Sequence, residues 1–120
     1  MISDGGLKAA GTGIDLDLRL PWYRALPLSV VTIDEVAIDG KALDLAPATF
    51  SINGKTMPLS AFATGFEDWW FTADSGILHV PDVTLPAGSR HEVEATIAVK
   101  PPYIPGLVRI TKCKKQLSLQ

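Results

Sequence analysis

At 120 residues, with 47% hydrophobic and 20% charged side chains, the chain is the size and composition of one ordinary globular domain that buries its own core without staples. A formal charge of −2 is small and of the wrong sign to draw the chain to nucleic acid or to an anionic membrane. The longest apolar stretch, from Ala25 to Ile33, is interrupted by Pro27 and Ser29 and falls short of the roughly 20 residues a membrane span requires.

Residues Met1 to Gly6 lack both the basic start and the apolar run of a secretory signal, which predicts a cytoplasmic location. A lone cysteine, Cys113, cannot make an internal disulfide and fits that reducing compartment. Gly11-Thr12-Gly13 reads as a turn introducing a strand. Ile14, Leu16, Leu18 and Leu20 then alternate with Asp15, Asp17 and Arg19, the pattern of a strand with one buried and one wet face.

The run Leu20-Pro21-Trp22-Tyr23-Arg24-Ala25-Leu26-Pro27 follows. Two prolines fix φ and remove amide donors, so the segment is a stiff loop or edge rather than a central strand. Ser29 to Ile33 is β-branched and apolar, and Val36 and Ile38 lead into Asp39-Gly40, with Ala42 to Leu45 as the returning strand. Phe50 and Ile52 lead likewise into Asn53-Gly54, with a return through Thr56 and Met57. Pro58 to Thr64 predicts a short helical turn with Ser60 as its cap.

Asp68 to Phe71 and Ile77 to Val80 read as brief strands joined by Ala73-Asp74-Ser75-Gly76, and Pro81 to Gly88 as a loop. From Arg90 to Lys100, Val93, Ala95, Ile97 and Val99 share one face. Tyr103 and Ile104 sit between Pro102 and Pro105, ahead of a last strand over 107–110. About eight to ten short strands with no full helix predict an all-β fold, a single-domain antiparallel β-sandwich. It occupies residues 1–111; residues 112–120 form a basic, solvated tail carrying Lys112, Lys114 and Lys115.

Chemistry finds little support. His79 and His91 fall in different strands with no ligand spacing, His79 expected to face water or a polar neighbour and His91 to lie on the surface; a metal site is not expected. Glu67 and Asp68 precede two tryptophans, and apolar surroundings raise a carboxyl pKa, but the simpler reading is a polar entry to the Trp69-Trp70-Phe71 core segment. No serine or cysteine lies in a nucleophile-elbow pattern.

What remains is aromatic. Successive strand residues face opposite ways, so one of Trp69 and Trp70 fills the core and the other meets solvent or a partner. Together with Trp22, Tyr23, Arg24 and Tyr103 in proline-stiffened segments, these residues predict a rigid surface suited to stacking on rings or anchoring an interface. The plainer reading has them cap the ends of the sandwich.

Met1 to Asp4, the segment 13–29 with its Leu-Pro-Trp-Tyr-Arg run, Glu67 to Phe71 and Pro102 to Pro105 resemble the small β subunit of bacterial C-glycoside deglycosidases. The resemblance implies a non-catalytic β-sandwich subunit that binds no cofactor itself. Its expected partner is a larger α subunit, a sugar-isomerase-like barrel with a divalent metal of the Mn or Mg type. Such a complex cleaves the C–C bond of 3-oxo-C-glycosides, because the keto group acidifies the neighbouring C2 proton. Trp22, Tyr23, Arg24, Trp69, Trp70 and Tyr103 are then expected at the subunit interface or the pocket edge. A stand-alone carbohydrate-binding or adaptor sandwich is the alternative.

Overall fold

Ile14, Leu16 and Leu18 are buried and the aspartates between them lie on the solvent side, as the alternation requires. A computed structural model describes all residues 1–120. Its strands are β1 (Ile2–Ala10), β2 (Gly13–Leu18), β3 (Leu26–Pro27), β4 (Val31–Ile38), β5 (Lys41–Ala42) and β6 (Thr49–Ile52), then β7 (Lys55–Pro58), β8 (Trp69–Trp70), β9 (Gly76–Val80), β10 (Arg90–Val99) and β11 (Arg109–Ser118). One sheet runs β1-β2-β9-β6-β7, a second β11-β10-β4-β5, and β3 pairs with β8. Pairing is antiparallel throughout. The inward residues of both sheets join one core of 26 buried side chains, so the all-β, antiparallel single domain stands.

Both predicted hairpins form. Asp39 and Gly40, at φ 53° and 81°, and Asn53 and Gly54, at 51° and 77°, are all left-handed, the geometry that matches a two-residue turn to the twist of its strands. The return after Asp39-Gly40 is shorter than expected. Only Lys41 and Ala42 pair, because the Asp44 carboxylate accepts the Ala46 amide at 3.0 Å and turns the chain away. Residues Leu28–Val30 make a 3₁₀ turn rather than the start of a strand, and the turn Leu59–Thr64 follows Pro58 without a side-chain cap, so Ser60 does not serve as one.

Three elements depart further from the sequence reading. β1 was not foreseen: a register shift between Ile2 and Leu7, with Gly5 at φ 64°, breaks its alternation. The basic tail is a strand. β11 pairs with β10 from Arg109↔Val99 to Ser118↔Arg90, and Leu117 and Leu119 enter the core. Its lysines answer acids across the ladder, Lys112 to Glu94 at 3.0 Å and Lys114 to Glu92 at 3.6 Å, and the Lys112 hydrogen bond holds the Glu94 carboxyl below its ordinary range.

His91 is the third departure: it is buried, not on the surface. Its Nδ1 lies 2.6 Å from Asp39 Oδ2 and its Nε2 meets the Ser89 hydroxyl, which itself donates to the Pro86 carbonyl. The order Ser-His-Asp resembles a hydrolytic triad, but here the hydroxyl proton is committed to a backbone carbonyl and the chain of bonds clamps the 86–89 loop to the Asp39-Gly40 turn. Bonds from His91, and then from the Glu92 amide at 2.9 Å, hold the Asp39 carboxyl below its ordinary 3.8. A lowered carboxyl pKa stabilises the fold above the unfolded value, and that contribution disappears as pH falls through the folded one. Asp39→Asn keeps a residue suited to the left-handed turn, so its thermal midpoint should be lower than wild type at neutral pH and should converge on wild type as the solution is acidified below that range.

Phe50, Phe62 and Trp70 meet in the core. Phe50 stands edge-on to Phe62 and to Trp70, with centroids 5.2 and 5.0 Å apart. Gly76 of β9 lies flat beneath the Phe50 ring, which a Cβ there would strike. Gly76→Ala should therefore destabilise the chain by about 1–3 kcal/mol in denaturant titration, through overpacking.

Candidate functional site

Two proline-bounded loops, 80 residues apart in the chain, converge at one end of the sandwich. Pairing of Leu26 with Trp70 and Pro27 with Trp69 fixes the exit of the first loop. The Lys100 amide donates to the Val30 carbonyl at 2.8 Å and brings the second loop alongside it. There the Trp22 indole N–H donates to the Tyr103 hydroxyl at 2.5 Å, and that hydroxyl donates to Tyr23 at 3.2 Å. The Arg24 guanidinium sits 4.9 Å from the centre of the Tyr103 ring, and the Trp22 and Tyr23 rings lie 5.0 Å apart.

Trp22 packs its apolar side on the core while Tyr23 is 70% and Tyr103 42% exposed. Four of the six residues singled out from sequence thus form one cluster. Trp69, 45% exposed, is tied to the first loop through β3 and lines a neighbouring cleft. Trp70 does not belong to the surface: it is fully buried, its indole N–H bonded to the Asp74 carbonyl at 3.0 Å. The strand alternation that turns Trp69 outward is what turns Trp70 in.

Every exposed large hydrophobic side chain of the molecule falls in three stretches: Tyr23, Phe66 to Phe71, and Tyr103 to Ile110. β3–β8 pairing joins the first to the second and the Tyr103 bonds join the first to the third. Sequence reasoning missed Phe66, and placed Phe71 in the core where it is in fact exposed; their proximity to the Trp-Tyr-Arg loop depends on that pairing and has no local signal. It also missed that Asn53, read only as a turn residue, donates to the Trp69 carbonyl at 3.2 Å, and that Lys55 grips Asp68 at 3.1 Å. These residues, with Glu67 and Phe71, wall a cleft of about 370 Å³.

A larger cleft, about 660 Å³, opens at the opposite end between the β4–β5 turn and residues 80–85, far from any of these aromatics in the topology. His79 meets a polar neighbour as expected, its Nδ1 2.7 Å from Asp15 across the β2–β9 pair. No group of three His, Cys, Asp or Glu side chains is arranged to hold a metal ion, and no helix is long and apolar enough to cross a membrane.

A family model described as C-glycoside deglycosidase beta subunit matches residues 3–103, a span that includes both loops of the cluster. The chain belongs to that family. Among its relatives, the 3'-dehydrocarminate deglycosidase beta subunit of a Microbacterium species is 37% identical, over 88% of this chain and 79% of the relative. The C-glycoside deglycosidase beta subunit of Microbacterium trichothecenolyticum is 35% identical over 87% and 79%. One from Arthrobacter globiformis is 29% identical over the same shares. As a C-glycoside deglycosidase beta subunit, the chain is one component of a complex with a partner subunit.

Within the beta subunit the Tyr23 pKa is raised above its ordinary 10.0, with Tyr103 as the main cause, since two phenols that share one hydrogen bond do not both give up their protons readily; Tyr23 stays neutral across the physiological range. The chain has only two tyrosines, so Tyr103→Phe leaves Tyr23 to titrate alone. Its phenolate absorbance should then appear at lower pH than the raised Tyr23 transition of wild type, with folding stability changed by no more than about 0.5 kcal/mol.

Proposed function

We propose that this chain is the non-catalytic small subunit of a C-glycoside deglycosidase complex acting on 3-oxo-C-glycosides, and that its aromatic end docks the larger subunit beside the active-site entrance. The observation that carries the reading is the gathering of all exposed large hydrophobics around one pre-bonded Trp22–Tyr103–Tyr23 cluster. Patches of that kind mark interfaces, and rigid aromatics with a polar handle supply their energetic centres.

The Mn- or Mg-type ion expected of the complex, like the groups that move protons, is assigned to the larger, barrel-shaped subunit. Oxidation at C3 of the sugar acidifies the C2 proton, which lets a base there start elimination of the aglycone. This chain's contribution is to cover the partner's apolar surface and to keep water from the entrance with Trp22, Tyr23, Trp69 and Tyr103. Both subunits work in the cytoplasm. The cleft beside Trp69 and Phe71 favours a second reading, a stand-alone carbohydrate-binding module.

The two chains, co-expressed, purified and sized with mass detection, should form a hetero-complex that releases aglycone from a 3-oxo-C-glycoside in the presence of Mn²⁺, with neither chain active alone. A monomer that ignores the larger chain and retains a glycoside unaided would replace this reading with the second. Within the complex, Trp22→Ala should weaken association by about 2 kcal/mol, roughly thirtyfold in Kd.

A further inference from the structure

The aromatic end is not neutral. In a chain of formal charge −2, two of the three stretches that build it, residues 18–33 and 95–120, contain no aspartate or glutamate; the third carries Glu67 and Asp68, and Lys55 holds Asp68 at 3.1 Å. The two acid-free stretches bring Arg19, Arg24, Lys100 and Arg109 to this end. Arg19 is occupied by Asp17 and the Ala73 carbonyl. Arg24 has no carboxylate partner within the chain, and instead of ranging freely it is held over the Tyr103 ring. That ring is in turn fixed by bonds to Trp22 and Tyr23.

The direction of those bonds matters. The indole N–H has no acceptor capacity, so it must donate to Tyr103; Tyr103 spends its proton on Tyr23; and the Tyr23 hydroxyl keeps its own proton to give. A planar guanidinium, which only donates, and a phenol with a proton still to give therefore stand side by side, both pre-positioned on a loop that prolines stiffen. Their complement is an anionic oxygen pair, which a guanidinium binds in two parallel bonds and a phenol can join.

We infer that Arg24 and Tyr23 seat a carboxylate side chain of the larger subunit, within an acidic patch on that subunit that faces Arg24, Lys100 and Arg109. This rests on the subunit reading above and deepens it: the partner surface is specified as acidic at its centre and apolar around it. Association is then steered by charge as well as driven by burial.

The test uses the purified hetero-complex. Affinity of the wild-type pair should fall as NaCl rises. Arg24→Glu should weaken the pair roughly tenfold or more at low salt and flatten the salt dependence, with Arg24→Lys intermediate because it loses the fork geometry. Tyr23→Phe should weaken it less. Reversal to lysine of one glutamate or aspartate on the larger subunit, found by scanning its acidic surface residues, should restore binding of Arg24→Glu. A thermal midpoint equal to wild type in each variant confirms that folding is not the cause. A wild-type complex whose Kd and salt slope are untouched by Arg24→Glu would overturn the carboxylate seat while leaving the subunit reading intact. An unchanged Kd with a raised KM for the glycoside would also overturn it, moving the anion to the substrate. Failure of the wild-type chains to associate at all would overturn both readings together.

Discussion

Burial of Trp70 is the constraint on which the aromatic end depends. Its ring closes the core against Phe50 while its indole N–H holds the Asp74 carbonyl, so the loop 64–75 cannot lift off the sandwich without exposing the largest side chain of the interior. Because Trp70 is paired with Leu26, the same burial fixes the end of the Trp-Tyr-Arg loop. Because Trp69 is its neighbour on a strand, the same burial also sends Trp69 outward. One apolar anchor thus positions two surface elements that the chain keeps more than forty residues apart.

On that base the second loop adds order rather than mass. Tyr103 contributes a hydroxyl that accepts from one aromatic and donates to another, and a ring face that holds a cation. Proline residues on both loops have already removed much of the conformational freedom that binding would otherwise have to freeze. The opposite end is built differently: there a buried histidine ties a turn to a loop through Asp39 and Ser89, and the exposed surface is carboxylate-rich around the larger cleft. The sandwich is therefore polar in the sense of having two chemically distinct ends.

How much of this the amino-acid order reveals follows from how local each feature is. β2 and β10 are legible because one face is buried over their whole length, and the Asp-Gly and Asn-Gly turns because left-handed φ values narrow the choice of residue. β1 is hidden by its bulge and β11 by lysines on both faces of an edge strand, where neither side is dry enough to impose alternation. The Trp22, Tyr23 and Arg24 surface was legible from its prolines. That Tyr103 completes it, that Phe66 and Phe71 stand near it, and that His91 is interior all depend on contacts between distant segments, which no window of the sequence contains.

The concentration of exposed aromatics has a consequence for the chain before it finds its partner. A copy without its partner keeps these aromatics in water, and exposed apolar patches favour contact between copies. A cell that uses such a subunit gains from making it in step with the larger chain and close to it. On the docking reading proposed above, the feature that gives the assembly its grip also makes the orphan costly to keep.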